Sequence, residues 1–183
     1  ALLYFSPVSY TRAPEGKRPL MSPDPFPGFL IGFSPCRPTS RGSVVARSPD
    51  PFVAPEIRPN YLDTGEDREA MLEGGRFIRR LAETPAMRAV IEAEVSPGAQ
   101  AQGDEAMRVH IRDNAWSVFH ASCSCRMGSD PQTSAVDPRL RVHGVAGLRV
   151  VDASVFPSVT SGNINGPTIM VAERAADLIL EDA

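Results

Sequence analysis

The spacing of apolar residues changes several times along this chain. Residues 1–28 show no sustained period and read as irregular, with one short strand near Leu2–Phe5. The run Phe29-Leu30-Ile31-Gly32-Phe33 is short, continuous and apolar, as in a buried strand. Arg37-Pro38-Thr39-Ser40-Arg41-Gly42 reads as a turn, and Ser43–Arg47 as a second strand. The two strands are expected to pair antiparallel, because so short a turn cannot host a parallel crossover. Residues 50–59 read as extended. The period then becomes helical. Asp63 and Thr64 offer capping oxygens, Glu66 and Asp67 fall in the first turn, and Ala70, Met71, Phe77, Ile78, Leu81 and Ala82 follow at helical spacing. Thr84-Pro85 opens a second helix, predicted to reach about Val95. A linker spans 96–102, and a third helix spans Asp104–Asn114 with Met107 and Ile111 on one face. Leu148-Arg149-Val150-Val151-Asp152 reads as a buried strand. The last helix is predicted to open at Pro167 and run to about Leu180, with Ile169, Ala172, Ala175, Ala176 and Ile179 facing inward. The pattern predicts an α+β fold, an antiparallel sheet with packed helices.

Composition narrows the function. The 183 residues can support one sizeable core with an appended segment. A formal net charge of −3 gives no basic face for nucleic acid. No apolar run approaches the ~20 residues of a membrane span. The start, Ala1-Leu2-Leu3-Tyr4-Phe5, lacks the features of a signal peptide and carries no initiator Met, so a fragment or processed product is expected. Three cysteines, Cys36, Cys123 and Cys125, make a poor disulfide framework and suit a reducing cytoplasm. Proline, at 18 residues, crowds the first third of the chain and favours loops and edge strands there. No Gly-x-Gly-x-x-Gly turn follows a strand, so no usual dinucleotide pyrophosphate site is expected.

Three blocks could carry chemistry. His120 ends an apolar approach (Trp116, Val118, Phe119) and is followed by the small, polar run Ala121-Ser122-Cys123-Ser124-Cys125. A histidine there can take a proton near neutral pH, and it can equally be a satisfied turn histidine. Zinc on His120, Cys123, Cys125 and His143 is a further reading, although Cys-x-Cys is tight for a structural site. A cysteine nucleophile beside His120 is another, with no obvious oxyanion site to serve it. The second block ends in Asp152-Ala153-Ser154, where the carboxylate can bind ligand hydroxyls or cap a turn. The third, Thr160-Ser161-Gly162-Asn163-Ile164-Asn165-Gly166-Pro167-Thr168, runs into a helix N-terminus, whose free N–H groups suit an anion or a carbonyl oxygen. Ordinary capping by Asn165 explains it as well.

In this order the blocks resemble the C-terminal signature of the glucose–methanol–choline oxidoreductases. The resembling stretches are 120–128, Val136-Asp137-Pro138-Arg139-Leu140-Arg141-Val142-His143-Gly144-Val145, 148–154, and 161–168 with Ala172-Glu173-Arg174-Ala175-Ala176-Asp177 behind. Upstream, Arg37–Val44 and Ser48-Pro49-Asp50-Pro51 leading to Asn60-Tyr61-Leu62 also match, so the likeness covers nearly everything after Pro27. The form around His120 is most similar to the choline dehydrogenase branch, with Ser124 where Thr is expected.

The resemblance implies an FAD-dependent oxidation of a small-molecule alcohol at CH–OH. It implies His120 as catalytic base and, 43 residues on, Asn163 as its partner, with Asn165 as the fallback. It places Asp152 and Ala153 near the cofactor's ribityl–pyrophosphate stretch, and Asn165, Pro167 and Thr168 near the flavin's pyrimidine end. It divides the chain into an irregular segment 1–28, a substrate-binding domain 29–135 carrying the histidine loop, and a segment 136–183 completing the FAD domain. The partner it requires is an N-terminal FAD-binding half, without which the chain is expected to be inactive. The competing reading is a non-catalytic binding or assembly subunit with the same fold.

Overall fold

The computed structural model describes residues 1–10 and 23–182. The stretch 11–22, part of the expected irregular segment, lies outside the described residues. The chain divides into two compact units, Ala1–Pro35 with Glu69–Asp113, and Cys36–Arg68 with Asn114–Ala183.

In the first unit, β1 (Leu2–Ser6) pairs antiparallel with β2 (Leu30–Ser34), Leu2 opposite Ser34 and Ser6 opposite Leu30. This corrects the expected pairing of the 29–33 and 43–47 strands. Apolar runs identify strands but not their partners, and here the ladder forms across the proline-rich stretch. The helix α1 (Gly65–Ala82) begins in the second unit and continues into the first. Thr64 Oγ1 accepts from the Asp67 N–H at 3.3 Å, while Glu66 and Asp67 at the start and Arg79 and Arg80 at the end complement the helix dipole. Its Leu72 is fully buried. Gly74 faces Phe33 of β2 so closely that any Cβ would fall inside the ring. The predicted second helix is cut to α2 (Pro85–Arg88). Val90 and Val95 beyond it are exposed, so a longer helix would bury no apolar face to offset its ordering. The helix α3 (Asp104–Asn114) brings Met107 against Gly75 and pairs its acidic start with Arg76 of α1.

In the second unit, β3 (Ser43–Val45) pairs with β4 (Glu56–Arg58) as a two-stranded ribbon. Most of the remaining backbone is irregular but well bonded. The helix α4 (Asn165–Glu181) opens two residues earlier than expected. Pro167 is therefore its third residue, where a missing N–H costs no helical bond. Its buried stripe is Val171, Ala175 and Leu178, not the five residues expected, of which only Ala175 is buried. These three lie at helical spacing on one face, leaving Ile169 and Ile179 exposed. The core combines Val136, Leu140, Val155, Phe156, Val171 and Ala175. The predicted 148–152 strand is replaced by single bridges, such as Arg141 with Arg149, and by a 3-10 turn at Ala153–Val155. Among the described residues no helix is long and apolar enough to cross a membrane.

Candidate functional site

The site is built from loops pinned to that core. The 123–127 segment donates every second amide to the turn beside it: Cys123 to Ala153 O at 3.2 Å, Cys125 to Ser154 O at 2.9 Å, and Met127 to Val155 O at 2.8 Å. Cys123 and Met127 pack against the core cluster, as do Ala153 and Ile164. The chain just after His120, the chain after Asp152 and the start of α4 thus share one apolar support.

His120 is half-buried, between Phe119 (φ 60°) and a second left-handed residue, Cys123 (φ 70°). Left-handed backbone costs non-glycine residues about 1–3 kcal/mol and persists only where surrounding structure enforces it. At Cys123 the amide ladder supplies that enforcement. Phe119 is 79 % exposed and stacks edge-on against the exposed Trp116 at 5.9 Å. Among the described residues the His120 ring makes no hydrogen bond, and neither do the side-chain amides of Asn163 and Asn165, both exposed. Three polar groups around one support therefore keep their hydrogen-bonding capacity.

Other sequence candidates are partly engaged. Asp152 Oδ1 accepts from Ser154 N at 2.7 Å and so caps the 3-10 turn, with the carboxylate exposed. The Ala153 carbonyl holds Cys123. Thr168 Oγ1 donates to Ile164 O at 2.7 Å, within the helix. Asn165 does not cap α4, whose capping residue Ile164 offers no side-chain bond. The N–H groups of Asn165 and Gly166 have no acceptor among the described residues, leaving the positive helix end open.

Among the described residues no group of three His, Cys, Asp or Glu side chains could hold a metal. His143 is used structurally, with Nε2 at 3.1 Å from Gly128 O and 3.2 Å from Ser134 Oγ. The Cys123 thiol contacts Ser122 Oγ at 3.4 Å. The amide ladder was not anticipated from the sequence. Its signal is the alternation of half-buried Cys123, Cys125 and Met127 with exposed Ser124 and Arg126.

A second support was also missed. Asp67 is buried and accepts from the Thr39 and Ser40 amides, each at 2.8 Å, and from Thr39 Oγ1 at 3.1 Å. Burial alone would raise its pKa, but the hydrogen bonds from Ser40 and Thr39 outweigh it and hold the carboxyl at about 2. At the far end of the chain, hydrogen bonds from Arg141, joined by Arg149 and Arg139, likewise hold Asp182 at about 2 against partial desolvation.

Residues 38–172 match the GMC oxidoreductase family profile. The oxygen-dependent choline dehydrogenase of Pseudomonas fluorescens (strain Pf0-1) is 45% identical over 83% of this chain and 27% of that protein. The same-named protein of Vibrio vulnificus (strain YJ016) is 45% identical over 84% of this chain and 28% of that protein. The chain therefore spans little more than a quarter of these relatives. Among solved structures, a fungal aryl-alcohol oxidase is 34% identical with a TM-score of 0.73, covering 80% of this chain and 24% of that one. An FAD-dependent oxidoreductase from Chaetomium thermophilum is 31% identical with a TM-score of 0.76, covering 84% and 26%. With its matching C-terminal profile and this fold, the chain belongs to the GMC oxidoreductase family.

Proposed function

We propose that this chain is the substrate-side part of an FAD-dependent enzyme that oxidises a small-molecule alcohol, with His120 as general base and Asn163 as its partner. The observation that carries the reading is the shared support under unpartnered groups. His120 lies three residues before Cys123, and Asn163 directly precedes Ile164, and both of those neighbours pack on one cluster.

The residues suit a flavin. The free amides of Asn165 and Gly166 and the Asn165 side chain present donors, and the exposed Asp152 carboxylate presents an acceptor. Asn165, Pro167 and Thr168 would lie at the flavin's pyrimidine end, and Asp152 and Ala153 along its ribityl–pyrophosphate stretch. FAD, when bound, would supply the hydride acceptor. His120 takes the hydroxyl proton as the C–H bond breaks, a role worth about 10²–10⁴-fold in rate. The Asn163 amide donates to the oxygen as negative charge builds on it, worth about 10²–10³-fold.

We also propose the division into 29–135 as substrate domain and 136–183 as a segment completing the FAD domain. In that arrangement an N-terminal FAD-binding half is the obligatory partner, and the chain by itself gives no turnover. The choline dehydrogenase names of the relatives make choline the first alcohol to try. The test is expression with the upstream coding region, a flavin absorbance spectrum, and reduction of that flavin by a panel of alcohols. Bleaching by an alcohol supports the reading; a flavin-loaded protein that no alcohol reduces sinks it.

A further inference from the structure

We infer that Arg37 is a positioning residue that sets the place of Asn163 through Ser161. The inference rests on the proposed oxidoreductase reading. Residues 157–164 form an irregular connection from the buried Phe156 to Ile164, with one internal side-chain bond, Thr160 Oγ1 to Gly162 O at 2.9 Å. Among the described residues a single hydrogen bond reaches residues 157–163 from elsewhere in the chain. It runs from Arg37 Nε to Ser161 Oγ at 2.8 Å, two residues before Asn163.

Arg37 can act as a brace because its own turn is held. Asp67, on the first turn of α1, grips the Thr39 and Ser40 amides. Thr39 and Thr64 hydroxyls lie 2.6 Å apart, and Ser40 Oγ accepts from the Thr64 amide at 3.2 Å. Two residues from this knot, the flat guanidinium offers donors in a fixed fork, so the bond constrains direction as well as distance. The connection from α1 through the 37–40 turn to Ser161 lies wholly within the second unit. Without it, no hydrogen bond among the described residues reaches residues 157–163 from elsewhere in the chain, and what holds them is the packing of half-buried Val159, Thr160 and Gly162.

An amide that acts chiefly on developing charge affects the transition state more than the bound alcohol. Loosening it should therefore lower the saturating rate and leave KM nearly unchanged. The experiment uses the full-length, flavin-loaded protein and rapid-mixing measurement of flavin reduction by its alcohol. Arg37→Ala and Ser161→Ala should each slow reduction by about 10–100-fold, the scale of a displacement near 1 Å, with KM within about twofold of the parent. The double variant should be no slower than either single one. Ser161→Thr, which keeps the acceptor oxygen, should restore the rate, which a merely structural defect would not do. If Arg37→Ala fails to hold flavin, Ser161→Ala and Ser161→Thr decide the matter. Parental rates in the flavin-loaded alanine variants, or a double variant slowed by the product of the two effects, would overturn the inference alone. A parent protein that no alcohol reduces would overturn both it and the oxidoreductase reading.

Discussion

The helical part of the first unit and the loop-built core of the second hold themselves together in different ways. In the first, regular elements meet through side chains: Leu72 and Met107 are buried, and Arg76–Asp104, Arg79–Glu94 and Arg108–Glu69 pair at the margins. In the second, irregular segments exchange main-chain hydrogen bonds over one apolar cluster. Side-chain packing fixes helices as bodies, whereas an amide ladder fixes individual residues of a loop. Catalytic groups need the second kind of control, since rates are sensitive to displacements near an ångström. The unpartnered His120, Asn163 and Asn165 all belong to the loop-built unit.

That contrast can be broken by substitution. The largest stability effect should come from Phe156→Ala, which empties the centre of the loop-built cluster and should cost about 3–5 kcal/mol. A lowered urea midpoint of the full-length protein, with loss of flavin, is the expected result; a loss of unfolding free energy under about 1 kcal/mol would mean that the cluster does not organise the loops. Asp67→Asn removes charge from a carboxylate accepting three hydrogen bonds and should cost about 1.5–3 kcal/mol near neutral pH. Its pH dependence follows from the depressed pKa. The parent's Asp67 contribution is fully present above the ordinary value of 3.8, and it declines as pH falls below that value and is gone below about 2. The stability gap between parent and Asp67→Asn should therefore close across that window in urea titrations, and a gap that stays constant would contradict the assignment. Gly74→Ala drives a methyl into Phe33 and should cost about 1–3 kcal/mol without altering flavin reduction per bound flavin. Arg76→Ala loses only exposed pairs and should leave the thermal unfolding midpoint nearly unchanged; a clearly lowered midpoint would mean that the helical unit depends on its charges.

The places of the long helices were legible from capping and spacing, but their buried faces only in part: α1 buries Leu72, outside the expected set, α4 buries Ala175 alone of the five expected residues, and α2 stops at Arg88 instead of near Val95. Thr64, Asp67, Met107 and the overall extents of α1 and α3 follow from capping and spacing. The strand partners were not legible, since nothing in Phe29–Phe33 distinguishes Leu2–Ser6 from Ser43–Arg47 as a neighbour. The 148–152 run misled for a related reason. Its branched residues are half-buried, but they pair with a turn one bridge at a time instead of a long strand. At the site, motif order carried His120, Asn163 and Asn165 as candidates, while the Arg37–Ser161 contact spans 124 residues and left no local signal. Asp67 shows the same limit: its place in a helix start was readable, but its hold on Thr39 and Ser40 was not.

The most direct test of the central claim is flavin reduction by alcohol in the full-length His120→Ala protein. The expected result is a fully flavin-loaded protein whose reduction is slower by about 10²–10⁴-fold. Reduction at the parental rate with flavin bound would contradict the assignment of His120 as the base.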